Sequence, residues 1–516
     1  MNGKIINAKE AVDFIKDGDT VAVGGFVGMG HPEELTAAIE KKFLEFGNPQ
    51  NLSIVYAAGQ GDGKEKGINH LAHAGLVKRV IGGHYGLAPR MGRLALENKI
   101  EAYNFPQGVI SHLYREIAGG RAGVITHVGL KTFVDPRISG GKLNSKTTED
   151  LVSLIELDGQ EKLFYKSFPI NAAIIRGTSS DRFGNISMEK EAGSLEVLAM
   201  AQAAKNSKGI VIAQVERIVE DNTRSPWMIE VPSIFVDYVV QSKRENHWQT
   251  FGVEYNPAFS GEVKVPSSHI PAMELDERKI ISRRAFLELK GSSVVNLGIG
   301  MPEGVAIIAN EENALDLIKI TVEAGAIGGI PAGGLSFGAA FNPEAIIDQP
   351  YQFDFYDGGG LDIAFLGMAQ TDSFGNVNVS KFGSKLAGCG GFINISQNAK
   401  EVVFCGTFTS GGLEVDIKDA KLFIRNEGQH KKFISNVEHI TFSGEYASEK
   451  GSKIMYVTER AVFKLSTGKL ELIEIAPGID LEKDIISQMY FKPVISKDLK
   501  MMRREIFLNG KMNILR

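Results

Sequence analysis

The chain has 516 residues, 43% hydrophobic and 23% charged, with a formal net charge of −5. That is the makeup of a soluble globular protein, and it is too long for one core, since cores stop growing at roughly 250–300 residues. The charge is spread rather than blocked, which excludes a basic nucleic-acid stripe and an acidic tail, and no apolar run approaches the roughly 20 residues of a membrane span.

From the start, Met1 to Asp19 mixes charged and apolar residues and lacks the apolar stretch of a signal peptide. Ala8 to Lys16 has helical spacing, and Thr20 to Val23 reads as a short strand. A glycine-rich turn follows, Gly24 to Gly30. Pro32 to Phe46 then reads as a helix, with Pro in its first turn and Glu33 and Glu34 at its positive end. Asn51 to Ala58 is the next strand. This rhythm predicts an α/β fold with a mostly parallel sheet. Among the histidines, His70-Leu-Ala-His73 has a spacing that can bind metal. No further ligand lies at a characteristic spacing, so no metal site is expected.

Asp221 to Met273 is richer in Pro, Ser, Asn and aromatic residues and reads as a connecting segment, with strand character at Ser233 to Gln241. It separates an expected domain 1–240 from an expected domain 276–516, with 241–275 between them. The opening rhythm then restarts. Glu277 to Lys290 reads as a helix, Ser293 to Leu297 as a strand, and Gly298-Ile299-Gly300-Met301-Pro302 as a glycine turn before an apolar helix. Pro302 aligns with Pro32, and Asp372-Ser-Phe-Gly-Asn376 echoes Asp181-Arg-Phe-Gly-Asn185 in the same order. The two alignments need different offsets, so two related open-sheet domains with large insertions are expected.

Ile318 to Val322 reads as a strand ending at Glu323, followed by the glycine-rich stretch Ala324 to Gly334. A carboxylate at the carboxyl end of a strand sits where open α/β sheets place their sites, and glycine lets backbone approach a ligand. Gly388-Cys389-Gly390-Gly391 is a second such loop, whose amides could stabilise an oxyanion. Cys389 has no nucleophile motif around it and reads as a buried structural thiol. Two cysteines, Cys389 and Cys405, cannot make a disulfide framework, so a reducing cytoplasm is expected. Residue patterns alone leave alternatives open. Gly298-x-Gly300-x-x-x-Gly304 with Glu323 partly mimics a dinucleotide fingerprint, which would make the chain an NAD-dependent dehydrogenase. The spacing, Pro302 within the turn and the glycine after Glu323 weaken that reading. A non-catalytic metabolite sensor on a similar fold is the other alternative.

Asp17 to Pro32, DGDTVAVGGFVGMGHP, resembles the N-terminal signature of class I coenzyme A transferases. Glu323 with Gly325 resembles their catalytic-glutamate motif. Gly298 to Pro302 is similar to their CoA-contacting turn, Gly388 to Gly391 to their GxGG loop, and Pro106-Gln107-Gly108 to their PQG segment. The resemblance covers nearly the whole chain. Succinyl-type members carry Ser-Glu-Asn-Gly where this chain has Val322-Glu323-Ala324-Gly325. That departure resembles the single-chain acetate and propionate CoA-transferases.

The resemblance implies two CoA-transferase-like α/β domains and transfer of CoA between short carboxylic acids through a glutamyl-CoA thioester on Glu323. It assigns Gln107 and Gly391 to the oxyanion, and Gly298, Ile299, Gly300, Met301, Pro302, Gly388 and Gly390 to CoA. Coenzyme A is then a co-substrate and no prosthetic group is needed. The expected partners are an acyl-CoA, a short-chain carboxylate and further copies of the chain, but no nucleic acid and no membrane.

Overall fold

A computed structural model of the chain describes residues 3–221, 223–266 and 272–513. Met1 and Asn2 of the N-terminal stretch, and Asn222 and 267–271 of the expected connecting segment, lie outside the described residues. Two compact units emerge. The first gathers Met1–Lys264, Val322–Asp354 and Gly383–Asn394; the second gathers Val265–Thr321, Phe355–Phe382 and Ile395–Arg516. The units therefore do not follow chain order, and the segment carrying Glu323 belongs to the first.

In the first unit β1 (Thr20–Val23), β2 (Leu52–Tyr56), β3 (Val77–Gly82), β4 (Glu101–Asn104), β5 (Ala172–Ser180), β6 (Ile210–Ile218) and β7 (Tyr238–Gln241) form a parallel sheet. Its order is β7-β6-β5-β1-β2-β3-β4. A parallel sheet covered on both faces buries its strands whole, and every residue of β2 and β5 is buried, with Arg176 of β5 paired to the buried Glu191. Each fully buried Val, Leu or Ile contributes roughly 1.5–3 kcal/mol. The short runs Thr20–Val23 and Leu52–Tyr56 are thereby committed to the sheet centre.

Helix α1 (Glu33–Phe46) follows the turn after β1. Glu33 and Glu34 sit in its first turn, and Gly47 ends it in the left-handed region (φ 72°) with its amide bonded to the Phe43 carbonyl. Helix α2 (Gln107–Ala118) follows β4, and α3 (Val197–Asn206) follows β5. From β1 the sheet runs through β2, β3 and β4 on one side and β5, β6 and β7 on the other. The strand order reverses between β1 and β5, and open α/β sheets bind ligands beyond the strand ends at such a point.

The second unit repeats the plan. After a helix at Glu277–Phe286, β8 (Ser293–Leu297), β9 (Ile318–Thr321), β10 (Ile363–Gly367), β11 (Glu401–Cys405) and β12 (Lys453–Val457) run parallel in the order β9-β8-β10-β11-β12. Beyond β12, β13 (Ala461–Ser466) and β14 (Lys469–Ile475) turn antiparallel, and β15 (Val494–Met501) pairs parallel with β14.

Some elements differ from expectation. The first helix stops at Val12 rather than Lys16, because Asp19 captures the Lys16 amide (2.8 Å) and Phe14 leaves to stack on Tyr238. Ser233–Phe235 is a 3₁₀ turn after Pro232, so strand geometry begins only at Tyr238. Among the described residues no helix is long and apolar enough to cross a membrane.

Candidate active site

Three parallel strands of the first unit end in glycine-bearing loops, at Gly24 and Gly25, Gly59 and Gly83, and the fourth, β4, leads within three residues into α2, whose first turn holds Gly108. The turn after β1 is closed by reciprocal bonds between Phe26 and Met29 (2.8 and 2.9 Å) and tied to the loop after β2 by Val27 N–H donating to the Gly59 carbonyl (2.7 Å). Below it, His31 Nδ1 shares a hydrogen bond with Gln60 Oε1 (2.7 Å) and Nε2 with Thr36 Oγ1 (3.0 Å). Burial pushes the His31 pKa down to about 4, so the ring is a neutral strut.

The segment Gly383–Asn394 is stitched across the ends of β3 and β4. Gly390 N–H donates to the Gly83 carbonyl (2.7 Å), Gln107 N–H to the Gly390 carbonyl (2.9 Å), and Cys389 N–H to Asn104 Oδ1 (2.9 Å). Two orphan amides at the start of α2 are satisfied this way, since Gly108 N–H also donates to Asn394 Oδ1 (3.1 Å). Gly388 (φ 87°) has to be glycine, because an added Cβ would come within 2.8 Å of the His84 Cα. Gly391 follows, and its amide donates to no described group. Cys389 is buried, with Sγ 3.4 Å from the Phe105 carbonyl, and burial pushes its thiol pKa far up. That environment keeps it a thiol and makes it a poor nucleophile.

Glu323 occupies the turn Val322–Gly325, closed by Gly325 N–H donating to the Val322 carbonyl (2.9 Å). Its neighbours Val322 and Ala324 lock into an apolar cluster with Phe26, Met29, Leu195 and Phe337, while Glu323 itself is 9% exposed. The Ala324 carbonyl lies 3.5 Å from where a Cβ on Gly193 would stand. The Glu323 turn is therefore seated against the loops that follow β1 and β5, at the strand-order reversal.

A short strap, Ile347 to Gln349, joins these parts. Ile347 N–H donates to the Gly325 carbonyl (3.0 Å), Ser194 Oγ–H to Asp348 Oδ1 (2.6 Å), and Gln349 N–H to the Leu195 carbonyl (2.9 Å). The Gln107 side chain donates from Nε2 to Gln349 Oε1 (3.2 Å). Beside the strap lies a carboxyl cluster that sequence reasoning missed. Glu196 is buried and neither of its carboxyl oxygens has a hydrogen-bond partner among the described residues. Burial and the charge of Asp348 raise its pKa to about 8, and the same two causes raise that of Glu230 to about 7. Burial likewise raises Asp348. No sequence signal distinguishes these carboxyls from surface ones.

Gln107, Gly388 to Gly391 and Glu323 thus all fall in the first unit. The turn Gly298 to Pro302 stands in the second, at the carboxyl end of β8. Gly298 N–H donates to the Phe365 carbonyl (2.8 Å), Gly300 adopts φ 85°, and Ile299 is half exposed. His70 and His73 turn instead to carboxylates, His70 to Glu33 and Glu40 and His73 to Glu40. No group of side chains among the described residues is arranged to hold a metal ion.

The model of the coenzyme A transferase family matches residues 5–242. The chain is 51% identical over 510 residues to caffeate CoA-transferase of Acetobacterium woodii, covering 98% of this chain and 97% of that one. It is 43% identical over 518 residues to acetate CoA-transferase YdiF of Escherichia coli (strain K12), covering 100% and 97%. The crystal structure of acyl-CoA transferase YdiF from E. coli O157:H7, a thioester complex with CoA, superposes with a TM-score of 0.95 at 43% identity over 99% of this chain and 98% of that one. Neither the dehydrogenase nor the sensor alternative finds support in these comparisons.

Proposed function

The chain belongs to the coenzyme A transferase family, and from that premise we propose that it exchanges CoA between short monocarboxylates, with Glu323 as the covalent nucleophile. The observation that carries the reading is the Glu323 turn, a nearly buried carboxylate clamped at a strand-order reversal beside two glycine loops. The chemistry needs a carboxylate. A thioester's free energy is kept while its acid is exchanged only if each covalent adduct is itself activated.

Glu323 attacks the acyl-CoA carbonyl, the C–S bond breaks, and an acyl-glutamyl anhydride forms with release of CoA thiolate. The thiolate attacks the Glu323 carbonyl, giving glutamyl-CoA and the first acid. The second acid then repeats the steps in reverse. Each step passes through a tetrahedral oxyanion. The Gly391 amide is one proposed donor. The Gln107 carboxamide is the other, since Nε2 carries two protons and spends one on Gln349. Gly388, Gly390 and Gly298 to Pro302 are the proposed CoA contacts. The sequence Val322-Glu323-Ala324-Gly325, which departs from the succinyl type, and the acetate-type relative favour short monocarboxylates as acids. Cytoplasmic residence and self-association are part of the same reading. Both cysteines are unpaired thiols, and Trp227 (98% exposed) and Ile234 (75%) stay bare on the single chain.

The test is to incubate the protein with acetyl-CoA alone and weigh the intact chain. A mass gain of CoA minus water is expected, discharged by propionate and by hydroxylamine, and lost in Glu323→Ala. A Glu323→Ala variant that keeps more than about a tenth of wild-type kcat for transfer would refute the nucleophile assignment.

A further inference from the structure

Gln349 lies at the first position of a helix (Gln349–Asp357) and is fully buried, yet it carries a side-chain amide, which is costly to bury unless its polar atoms are used. They are used in one direction. Oε1 accepts from Gln107 Nε2 (3.2 Å), and Nε2 donates to Ser111 Oγ (3.4 Å), one turn along α2 from Gln107. Its backbone N–H is anchored independently on the Leu195 carbonyl (2.9 Å), and its neighbour Asp348 is held by Ser194 Oγ (2.6 Å). Two residues back, Ile347 holds the Gly325 carbonyl behind Glu323 (3.0 Å).

Gln107 has few other constraints. Its backbone amide is fixed by the Gly390 carbonyl, but its carboxamide has Gln349 as its only hydrogen-bond partner among the described residues. Oε1 lies on the Gly390 side, 3.7 Å from where a Cβ on that glycine would stand. A primary amide with one partner can turn about its last torsion, which is broad and roughly two-fold. An unanchored Gln107 would present oxygen or nitrogen to an oxyanion with similar ease, and an oxygen there is repulsive. Oxyanion stabilisation depends on donors held in place before the reaction.

We infer that Gln349 is a positioning residue. By accepting one Gln107 N–H while anchored on Ser111 and Leu195, it fixes which way the Gln107 carboxamide faces and ties that orientation to the Glu323 turn through the Ile347–Gln349 strap. The inference rests on the transferase reading above and on Gln107 serving the oxyanion. It concerns the rate of the covalent steps rather than the binding of CoA.

A double-mutant cycle on the full chain tests it, using acetyl-CoA and propionate. Gln107→Ala is expected to lower kcat by about 10²–10³-fold. Gln349→Met, of similar volume but without the amide, should lower kcat about 10–100-fold while leaving KM for acetyl-CoA within about threefold. In the Gln107→Ala background Gln349→Met should change kcat by less than about threefold, because it acts through the group already removed. Gln349→Glu keeps an oxygen facing Gln107 and should recover at least about fivefold over Gln349→Met. Ser111→Ala, which removes one buried hydroxyl and leaves Gln349 and its volume in place, should show the same kcat-only pattern at a few-fold, which guards against a Gln349→Met protein that folds poorly. Multiplicative losses in the double variant, a KM effect as large as the kcat effect, or no difference between Gln349→Glu and Gln349→Met would each overturn the inference. A wild-type chain that forms no glutamyl-CoA adduct would instead bring down the transferase mechanism, and that is seen before any variant is made.

Discussion

Replacing Gly325 by alanine tests whether the Glu323 turn and the strap behind it form one rigid body. Gly325 adopts φ 117°, outside the regions open to L-residues. An added Cβ would overlap the Ile347 carbonyl oxygen outright, with the carbonyl carbon at 3.1 Å and the amide nitrogen at 3.6 Å. The obstacle is backbone, so no rotamer change relieves it. Ile347 cannot simply withdraw, because its own N–H is bonded to the Gly325 carbonyl (3.0 Å) and the next two residues are held by Ser194 and Leu195.

A sparsely populated backbone conformation costs about 1–3 kcal/mol, overpacking about 1–3 kcal/mol, and one lost hydrogen bond about 0.5–1.5 kcal/mol. Together these come to roughly 3–7 kcal/mol, a large part of the roughly 5–15 kcal/mol that holds a protein folded. At about 1–2 °C per kcal/mol for a unit of this size, the melting temperature should fall by at least about 3 °C. The carbonyl has to recede by about 1 Å, a displacement that can cost about 10²-fold in rate when it reaches a reacting group. Gly334→Ala is the control. Gly334 also has a positive φ (60°), but nothing lies within 4 Å of an added Cβ, so only the left-handed cost of about 1–2 kcal/mol applies. Scanning calorimetry and acetyl-CoA:propionate transfer are measured on both. If Gly325→Ala melts with Gly334→Ala and keeps kcat within about threefold of wild type, the strap is not rigid and the reasoning fails.

Two further outcomes follow from buried titrating groups. Burial alone would lower the His70 pKa, but the hydrogen bonds and charges of Glu33 and Glu40 outweigh it and raise the pKa from 6.5 to about 9. Because the folded value is the higher one, the stabilisation is fully present below pH 6.5 and lost as pH rises through 9. On the order of 3 kcal/mol should therefore separate wild type from His70→Asn at pH 6 and nearly vanish at pH 9.5; an equal difference in melting temperature at both pH values would refute the ion-pair account. Burial raises both cysteine thiols, so iodoacetamide should label neither Cys389 nor Cys405 until the chain is unfolded, and Cys389→Ala should keep at least about a third of wild-type kcat. Rapid labelling of the folded chain, or a dead Cys389→Ala, would return Cys389 to the chemistry.

The sequence was most legible where a short apolar run is bracketed by glycine or a polar residue. Thr20–Val23 and Ser293–Leu297 appear as strands with those bounds. Helix ends were less legible. The helix from Glu277 stops at Phe286 rather than Lys290, since turn bonds from Leu287, Glu288 and Leu289 take over there. Glu323 stood out because a strand-end carboxylate running into glycine needs a reason. Gln349 did not, because its meaning lies in a bond to a residue 242 positions away. The membership of Val322–Asp354 and Gly383–Asn394 in the first unit was invisible for a similar reason. Both stretches are rich in glycine, but glycine does not say which sheet a segment packs on, and only the bonds it forms after folding decide that.

The repeat suggested by the two Asp-x-Phe-Gly-Asn segments has a structural counterpart that bears on the Glu323 turn. In the first unit Asp181 Oδ1 accepts from the amides of Phe183 and Asn185 (3.0 Å each) and Oδ2 from Asn185 Nδ2 (2.8 Å); Asn185 Oδ1 then accepts from Ser233 N–H (2.9 Å). In the second unit Asp372 makes the same bonds to Phe374 and Asn376 (3.0, 3.1 and 2.9 Å), and Asn376 Oδ1 accepts from Gly444 N–H (2.9 Å). Chance similarity between glycine turns would reproduce the loop but not every side-chain bond, so the halves descend from one plan. On that plan the stretch from the last residue of β2, Tyr56-Ala57-Ala58-Gly59, corresponds to Val322-Glu323-Ala324-Gly325 directly after β9. Alanine and glycine match, and Glu323 takes the place of Ala57. In the first half that position is a fully buried alanine packed beneath the loops. In the second it carries the single carboxylate. The two turns thus differ at one side chain that decides their chemistry: the copy with Ala57 is apolar and fully buried, and only the copy with Glu323 carries the carboxylate that the proposed mechanism requires.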